Sequence, residues 1–265
     1  MFREQHPIAW SFHRNTCRWP HNLGALPDDD LPPVTPFKEY LGTEPICLPE
    51  PMPLSSSLGD CITARVSCRH FSRQPMNLLQ LSTVANAAYS IKGRLFYDGY
   101  EFLERPVPSG GGLYPLELYF VLRNVEDIGS GVYHYSPLVH GLETIRKLEM
   151  SGEFVSELFL GQPYVADASA IVLYAAVLER SLRKYTDRGY RYVLLEGGHV
   201  AQNVNLAAQS LGLGSLNLGG FFDDQIAALL DLDMDEEVPL YGTALGVPAH
   251  ADRAVIRRPE HISDY

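Results

Sequence analysis

Residues Ala168 to Val177 form one continuous apolar run, bounded by Asp167 and Glu179. Such a run predicts a central strand buried on both faces, so both sides of its sheet need a cover. Extended to Leu178, the run is still too short to span a bilayer. Other segments supply the cover and the neighbouring strands. Leu116 to Arg123 and Leu240 to Val247 read as strands, and Gly131 to Tyr135 with Leu142 to Ile145 as a hairpin around Ser136-Pro137. Asn77 and Gln80 have the spacing of a capping box, ahead of Leu78, Leu81, Ala85 and Ala88 on one helical face. Tyr192 to Leu211 predicts a long helix with small residues for close packing, ending at Gly212 and Gly214. Asp223 is placed as the cap of a helix running through Leu230. Helices interleave with strands, so the expected class is α+β, a mixed central β-sheet flanked by helices.

The first 55 or so of the 265 residues differ from this body. They are rich in Pro and Asp and show no sustained periodicity, which predicts an extended N-terminal arm over residues 1–55 ahead of one domain over 56–265. Trp10, Phe12, Trp19, Phe37 and Tyr40 give the arm anchors on a body or a partner subunit. The formal net charge is −11, from 21 basic and 32 acidic side chains. A field of that sign repels nucleic acid and anionic lipid, and it requires any anionic cofactor to be held by a local basic cluster. The N-terminus lacks the apolar stretch of a signal peptide, and the four cysteines form no CxxC pair, which together fit a reduced cytoplasmic protein. No histidine spacing indicates a metal site.

Four segments carry the chemistry. Arg65, Ser67 and Arg69 offer guanidinium forks and a hydroxyl to one anion, or else form a solvated basic helix end. Pro108-Ser109-Gly110-Gly111-Gly112-Leu113-Tyr114-Pro115 runs into a strand. Three successive glycines suit a backbone that approaches a flat ligand closely or needs positive φ, the alternative being a plain surface turn. Gly219 and Gly220 offer a second close approach, with Phe221 stacking nearby, or merely a loop before a helix. Glu179 to Tyr192 is a charge run in which Lys184 lies among four arginines. Like charges favour its neutral form, and a desolvated lysine beside Tyr185 makes a workable acid/base pair. The ordinary reading of such a run is a solvated face. His199, His134 and His140 read as hydrogen-bonded core or interface histidines. Gly212-Leu213-Gly214 ends a helix instead of opening one, so no dinucleotide-binding unit is expected.

In their order and spacing, these motifs resemble the nitroreductase superfamily, and within it the SagB/ThcOx-type dehydrogenases. The resemblance runs through the RxSxRxF element at Arg65 to Phe71, PSGGGLYPLELY at Pro108 to Tyr119, GVYHYSPLVHGLE at Gly131 to Glu143, KYTDRGYRYVLLEGGHVAQN at Lys184 to Asn203, and GGF at Gly219 to Phe221. It implies FMN at the interface of a homodimer. Arg65 and Ser67 would hold the phosphate, with Arg69 toward the polar edge of the isoalloxazine. Pro108, Ser109, Gly110, Gly111 and Gly112 would line the ring, with Gly219 and Gly220 at its reactive edge. A C-terminal arginine, Arg257 or else Arg258 or Arg253, would complete the phosphate site. Lys184 and Tyr185 would be the catalytic pair. The implied reaction oxidises a thiazoline or oxazoline in a modified peptide to the azole: Lys184 takes a ring proton, hydride passes to FMN, and oxygen reoxidises the flavin. The substrate would be a peptide or carrier-bound small molecule, with a cyclodehydratase as partner. An NAD(P)H-dependent nitro- or quinone reductase and a non-catalytic scaffold subunit of a synthetase complex are the alternative readings.

Overall fold

The computed structural model describes residues 2–19, 35–40, 42, 44–97 and 99–249. The apolar run becomes β7 (Ala170–Val177), and it lies inside a seven-stranded sheet. The other strands are β1 (Ile46–Cys47), β4 (Leu116–Leu122), β5 (Gly131–Ser136), β6 (Gly141–Lys147), β8 (Gly214–Leu218) and β9 (Glu237–Gly246). Their order is β1-β6-β5-β4-β7-β9-β8, and each neighbouring pair is antiparallel. The sheet gains a parallel element at its β8 edge, where Ser67 bridges Ser215. A separate hairpin, β2 (Gly93–Tyr97) and β3 (Tyr100–Glu104), stands apart from it.

The alternation of side chains along β4 and β7 divides the interior into two cores. Leu116, Leu118, Phe120 and Leu122 of β4, with Val172 and Tyr174 of β7, face α4 (Leu78–Tyr89) and α7 (Arg188–Ser210). Tyr119 and Val121, with Ile171 and Leu173, face α5 (Gly152–Leu158) and α8 (Asp223–Leu230). Two helical layers thus enclose the sheet, and each fully buried Leu or Phe contributes about 1.5–3 kcal/mol. The predicted capping box is formed: the Gln80 backbone N–H donates to Asn77 Oδ1 (2.8 Å) and the Asn77 N–H to Gln80 Oε1 (3.0 Å). Short α3 (Leu58–Ala64) and α6 (Glu179–Tyr185) complete the body.

Two expectations are corrected, and one strand appears that was not anticipated. The arm does not begin as extended chain, because α1 (Phe2–Gln5) and α2 (Pro7–Asn15) are helical. Pro7 stands in the first turn of α2, where its missing N–H costs nothing, and Phe12 packs edge-on against Tyr190 of α7 at 5.8 Å. Asp223 is not the cap of α8; Phe222 is, and Asp223 lies in the first turn, where its charge suits the helix dipole. The segment beginning at Gly214 is strand β8 before it becomes loop. Five residues with a single exposed side chain, Asn217, left too short a pattern to read past the glycines.

Candidate functional site

The glycine segment forms a single turn of 3-10 helix at Gly110–Gly112, just ahead of β4. Gly111 and Gly112 have φ of +68° and +67°, the left-handed region that the triple glycine predicted. A Cβ on Gly111 would stand 2.6 Å from the Tyr185 hydroxyl and 3.2 Å from Lys184 Nζ. Two segments distant in sequence therefore meet at this turn. Tyr192 of α7 closes the group: its ring is edge-on to that of Tyr185 at 4.9 Å, and it lies 3.3 Å from where a Cβ on Gly110 would be. Burial first, and the neighbouring Tyr192 second, push the Tyr185 phenol above its ordinary value. Lys184 was expected to be desolvated and is exposed, because only the other face of α6 packs inward, through Arg180 and Ser181.

That inward face is held by a chain of buried charges. Arg180 Nη2 pairs with Glu117 Oε1 (2.6 Å), Glu117 Oε2 with His134 Nε2 (2.9 Å), and His134 Nδ1 with Glu143 Oε2 (2.7 Å). Burial opposes charge on His134, but the hydrogen bonds to Glu117 and Glu143 outweigh it and raise its pKa. Burial likewise opposes charge on Glu117, and the hydrogen bond with His134 and the Arg180 charge overcome it, lowering the pKa. Arm residues complete the chain. The Lys38 N–H donates to Glu117 Oε1 (3.0 Å), and Arg180 Nε donates to the Thr35 carbonyl (2.9 Å). His134 is thus a buried, hydrogen-bonded core histidine. His140 also bonds, with Ser82 and Tyr135 at 2.8 Å each, whereas His199 is exposed on α7.

A second buried group lies behind the glycine turn. Tyr89 donates to Glu196 Oε1 (2.5 Å) and accepts from the Leu116 N–H (3.2 Å). The Tyr114 N–H donates to Ser109 Oγ (2.9 Å), leaving the Ser109 hydroxyl to donate to Glu196. The Arg105 guanidinium lies 4.1 Å from the Tyr89 ring centroid. Glu196 is 2% exposed, and desolvation pushes it up to about 7, against the hydrogen bonds from Ser109 and Tyr89. Nothing in the sequence singled out Glu196, Tyr89 or Arg105, and His134 was expected as a core histidine without its partners Glu117 and Glu143. A lone glutamate in a helix carries no periodic signal, and only the fold brings these residues together.

The other expected residues lie elsewhere. Ser67 and Arg69 are exposed and Arg65 half-buried, on a segment bound to the β8 edge by the Ser67–Ser215 bridge and by the Cys68 N–H to Ser215 carbonyl bond (2.9 Å). Three strand spacings, about 14 Å, separate β8 from β4, so the basic segment and the glycine turn are not adjacent within this chain. Gly219 and Gly220 follow β8, with the Gly220 carbonyl accepting from Gln162 Nε2 (3.1 Å). Phe221 does not stack over an open face, being buried edge-on against Phe159 at 6.2 Å. Pro108 is exposed and Ser109 half-buried. Arg253, Arg257 and Arg258 lie outside the described residues. Among the described residues, no helix is long and apolar enough to cross a membrane.

The guanidinium and hydroxyl groups at Arg65, Ser67 and Arg69 have the chemistry to hold a phosphate. The Nitroreductase family model matches residues 62–247. "Putative nitroreductase MJ1384" of Methanocaldococcus jannaschii is 39% identical over 183 residues, 69% of this chain and 87% of that protein. Microcin B17-processing protein McbC of Escherichia coli is 35% identical over 147 residues, 52% of each chain. Among solved structures, a chain of the E. coli microcin synthetase McbBCD complex with truncated pro-MccB17 bound superposes with a TM-score of 0.61 at 25% identity, covering 92% of both chains.

Proposed function

The chain belongs to the nitroreductase family, and on that premise we propose that it is an FMN-dependent dehydrogenase of the SagB type that oxidises an azoline ring in a modified peptide. The observation that carries this reading is the meeting of Lys184 and Tyr185 with the Gly111 turn. A reductase whose flavin merely meets a diffusible acceptor has no need of a base and a phenol at its ring edge. The similarity to McbC and to trifolitoxin-processing protein TfxB supports a role in modified-peptide biosynthesis. The likeness to the McbBCD chain supports work alongside a synthetase, with the peptide supplied by a cyclodehydratase partner.

Arg65, Ser67 and Arg69 would bind the FMN phosphate, and Ser109 to Gly112 with Gly219 and Gly220 would border the ring. FMN, when bound, supplies the hydride acceptor. Lys184 Nζ, exposed to a substrate arriving from solvent, would take the proton from the azoline carbon once the docked peptide excludes water from the amine. The Tyr185 hydroxyl, kept protonated, donates a hydrogen bond that orients the ring. The gap between the Arg65 segment and the glycine turn favours a homodimer in which each flavin is shared by two copies.

The test is spectroscopic and kinetic. The purified protein should be yellow and should convert a synthetic thiazoline peptide to the thiazole under oxygen. Lys184→Ala should keep the colour and lose at least about a hundredfold in turnover, the scale of a general base. Loss of the flavin in that variant would reassign Lys184 to binding. Rapid bleaching by NADPH alone would instead favour a nitro- or quinone reductase.

A further inference from the structure

Thr186, the residue immediately after the Lys184-Tyr185 pair, has φ 52° and ψ −150°. That combination is a region used almost solely by glycine, so the corner between α6 and α7 is strained at a β-branched residue. Strain persists only where surrounding contacts over-determine it, and here the N-terminal segment adds two contacts to those the corner makes itself. Arg18 Nη2 donates to the Tyr185 carbonyl (2.7 Å) and to Thr186 Oγ1 (3.0 Å). Thr186 Oγ1 in turn donates to the Tyr185 carbonyl (2.7 Å), and its N–H to the Leu182 carbonyl (2.6 Å).

The segment carrying Arg18 is itself fixed to α7. Arg188 Nη1 donates to the Thr16 carbonyl (3.0 Å), and Arg191 donates to Thr16 Oγ1 and the His13 carbonyl at 2.6 Å each. Thr16 is 3% exposed, and Phe12 packs on Tyr190. α2 and residues 16–18 therefore grip the first turn of α7 and deliver one guanidinium to the carbonyl of Tyr185.

We propose that Arg18 is a positioning residue: by clamping Tyr185 and Thr186 in a strained corner, it aims Lys184 and Tyr185 at the Gly111 turn. This rests on the assignment of those two side chains as the reactive pair. The clearance is small, with the Tyr185 hydroxyl already 2.6 Å from the Cβ position of Gly111, so a relaxed corner would carry the phenol and the amine away from the turn. Glycine at 186 adopts the same φ and ψ without strain, so it should make the clamp unnecessary.

The experiment uses the purified full chain, Arg18→Ala, Thr186→Gly and the double variant. Amide hydrogen exchange across residues 182–190 should accelerate in Arg18→Ala by roughly tenfold, within the range that strain of this type allows. Exchange in Arg18→Ala/Thr186→Gly should return toward that of the unsubstituted protein. With the thiazoline peptide, Arg18→Ala should lower kcat by a similar factor at unchanged KM, and the double variant should recover it. Unchanged exchange in Arg18→Ala, or equal exchange in the single and double variants, would overturn the clamp. If Lys184→Ala keeps full turnover, the catalytic assignment fails and the positioning role goes with it, whatever the exchange shows. If Lys184→Ala loses turnover while Arg18→Ala keeps it, the positioning role alone is overturned.

Discussion

Gly111 shows how much one residue can reveal. The triple glycine was legible because such runs cost backbone entropy without burying anything, so they need a structural reason. The reason found is specific: positive φ, and a Tyr185 hydroxyl lying where a side chain would begin. Glu196 was not legible, since its character comes from neighbours far away in sequence. Its pKa of about 7 lies above the ordinary 4.5, so between those values the folded state binds more protons than the unfolded state. Stability must then fall as pH rises from 4.5 through 7, by a total on the order of 3 kcal/mol. Glu196→Gln keeps an acceptor for Tyr89 and removes the titration. Thermal unfolding should show the variant matching the parent at pH 4.5 and melting at least about 6 °C higher at pH 8, while an equal melting temperature at pH 8 would refute the assignment. His134 has the same sign, in a higher pH window. Its raised pKa gives stability that is full below 6.5 and is lost as pH climbs through the folded value.

Among the elements, those with long patterns or side-chain caps could be read directly. β4, β5, β7, β9 and the long helix declare themselves by burial or period, and the α4 capping box by two residues. Asn77→Ala should cost about 1 kcal/mol and lower the melting temperature by about 2–4 °C, with Asn77→Asp close to neutral; a calorimetric scan of the three proteins measures this. The short elements could not be read, because their stability is tertiary. β8 exists by pairing with β9, and α2 by docking on α7. α6 looked like a solvated charge run because the sequence does not say which arginine points inward. In the fold it is Arg180, 4% exposed and paired to Glu117, while Lys184, one helical turn later, stays outside.

For the whole molecule, the consequential fact is the three-strand separation of the Arg65 segment from the glycine turn. If two copies share each flavin, Arg65→Ala and Lys184→Ala should complement each other. Coexpressed, they should regain turnover at roughly a quarter of the sites, since half of the dimers would be mixed and each would hold one intact site. No recovery would place the whole site within a single chain. By itself, the sequence determined the class of the fold, the central buried strand and the principal helices. Those follow from local pattern and chemistry, which act over a few neighbouring residues. Only the tertiary structure decided which side chains meet: Tyr185 at Gly111, Arg18 at Thr186, and Glu196 between Tyr89 and Ser109. Such contacts join residues many tens of positions apart, and no local period or propensity encodes them.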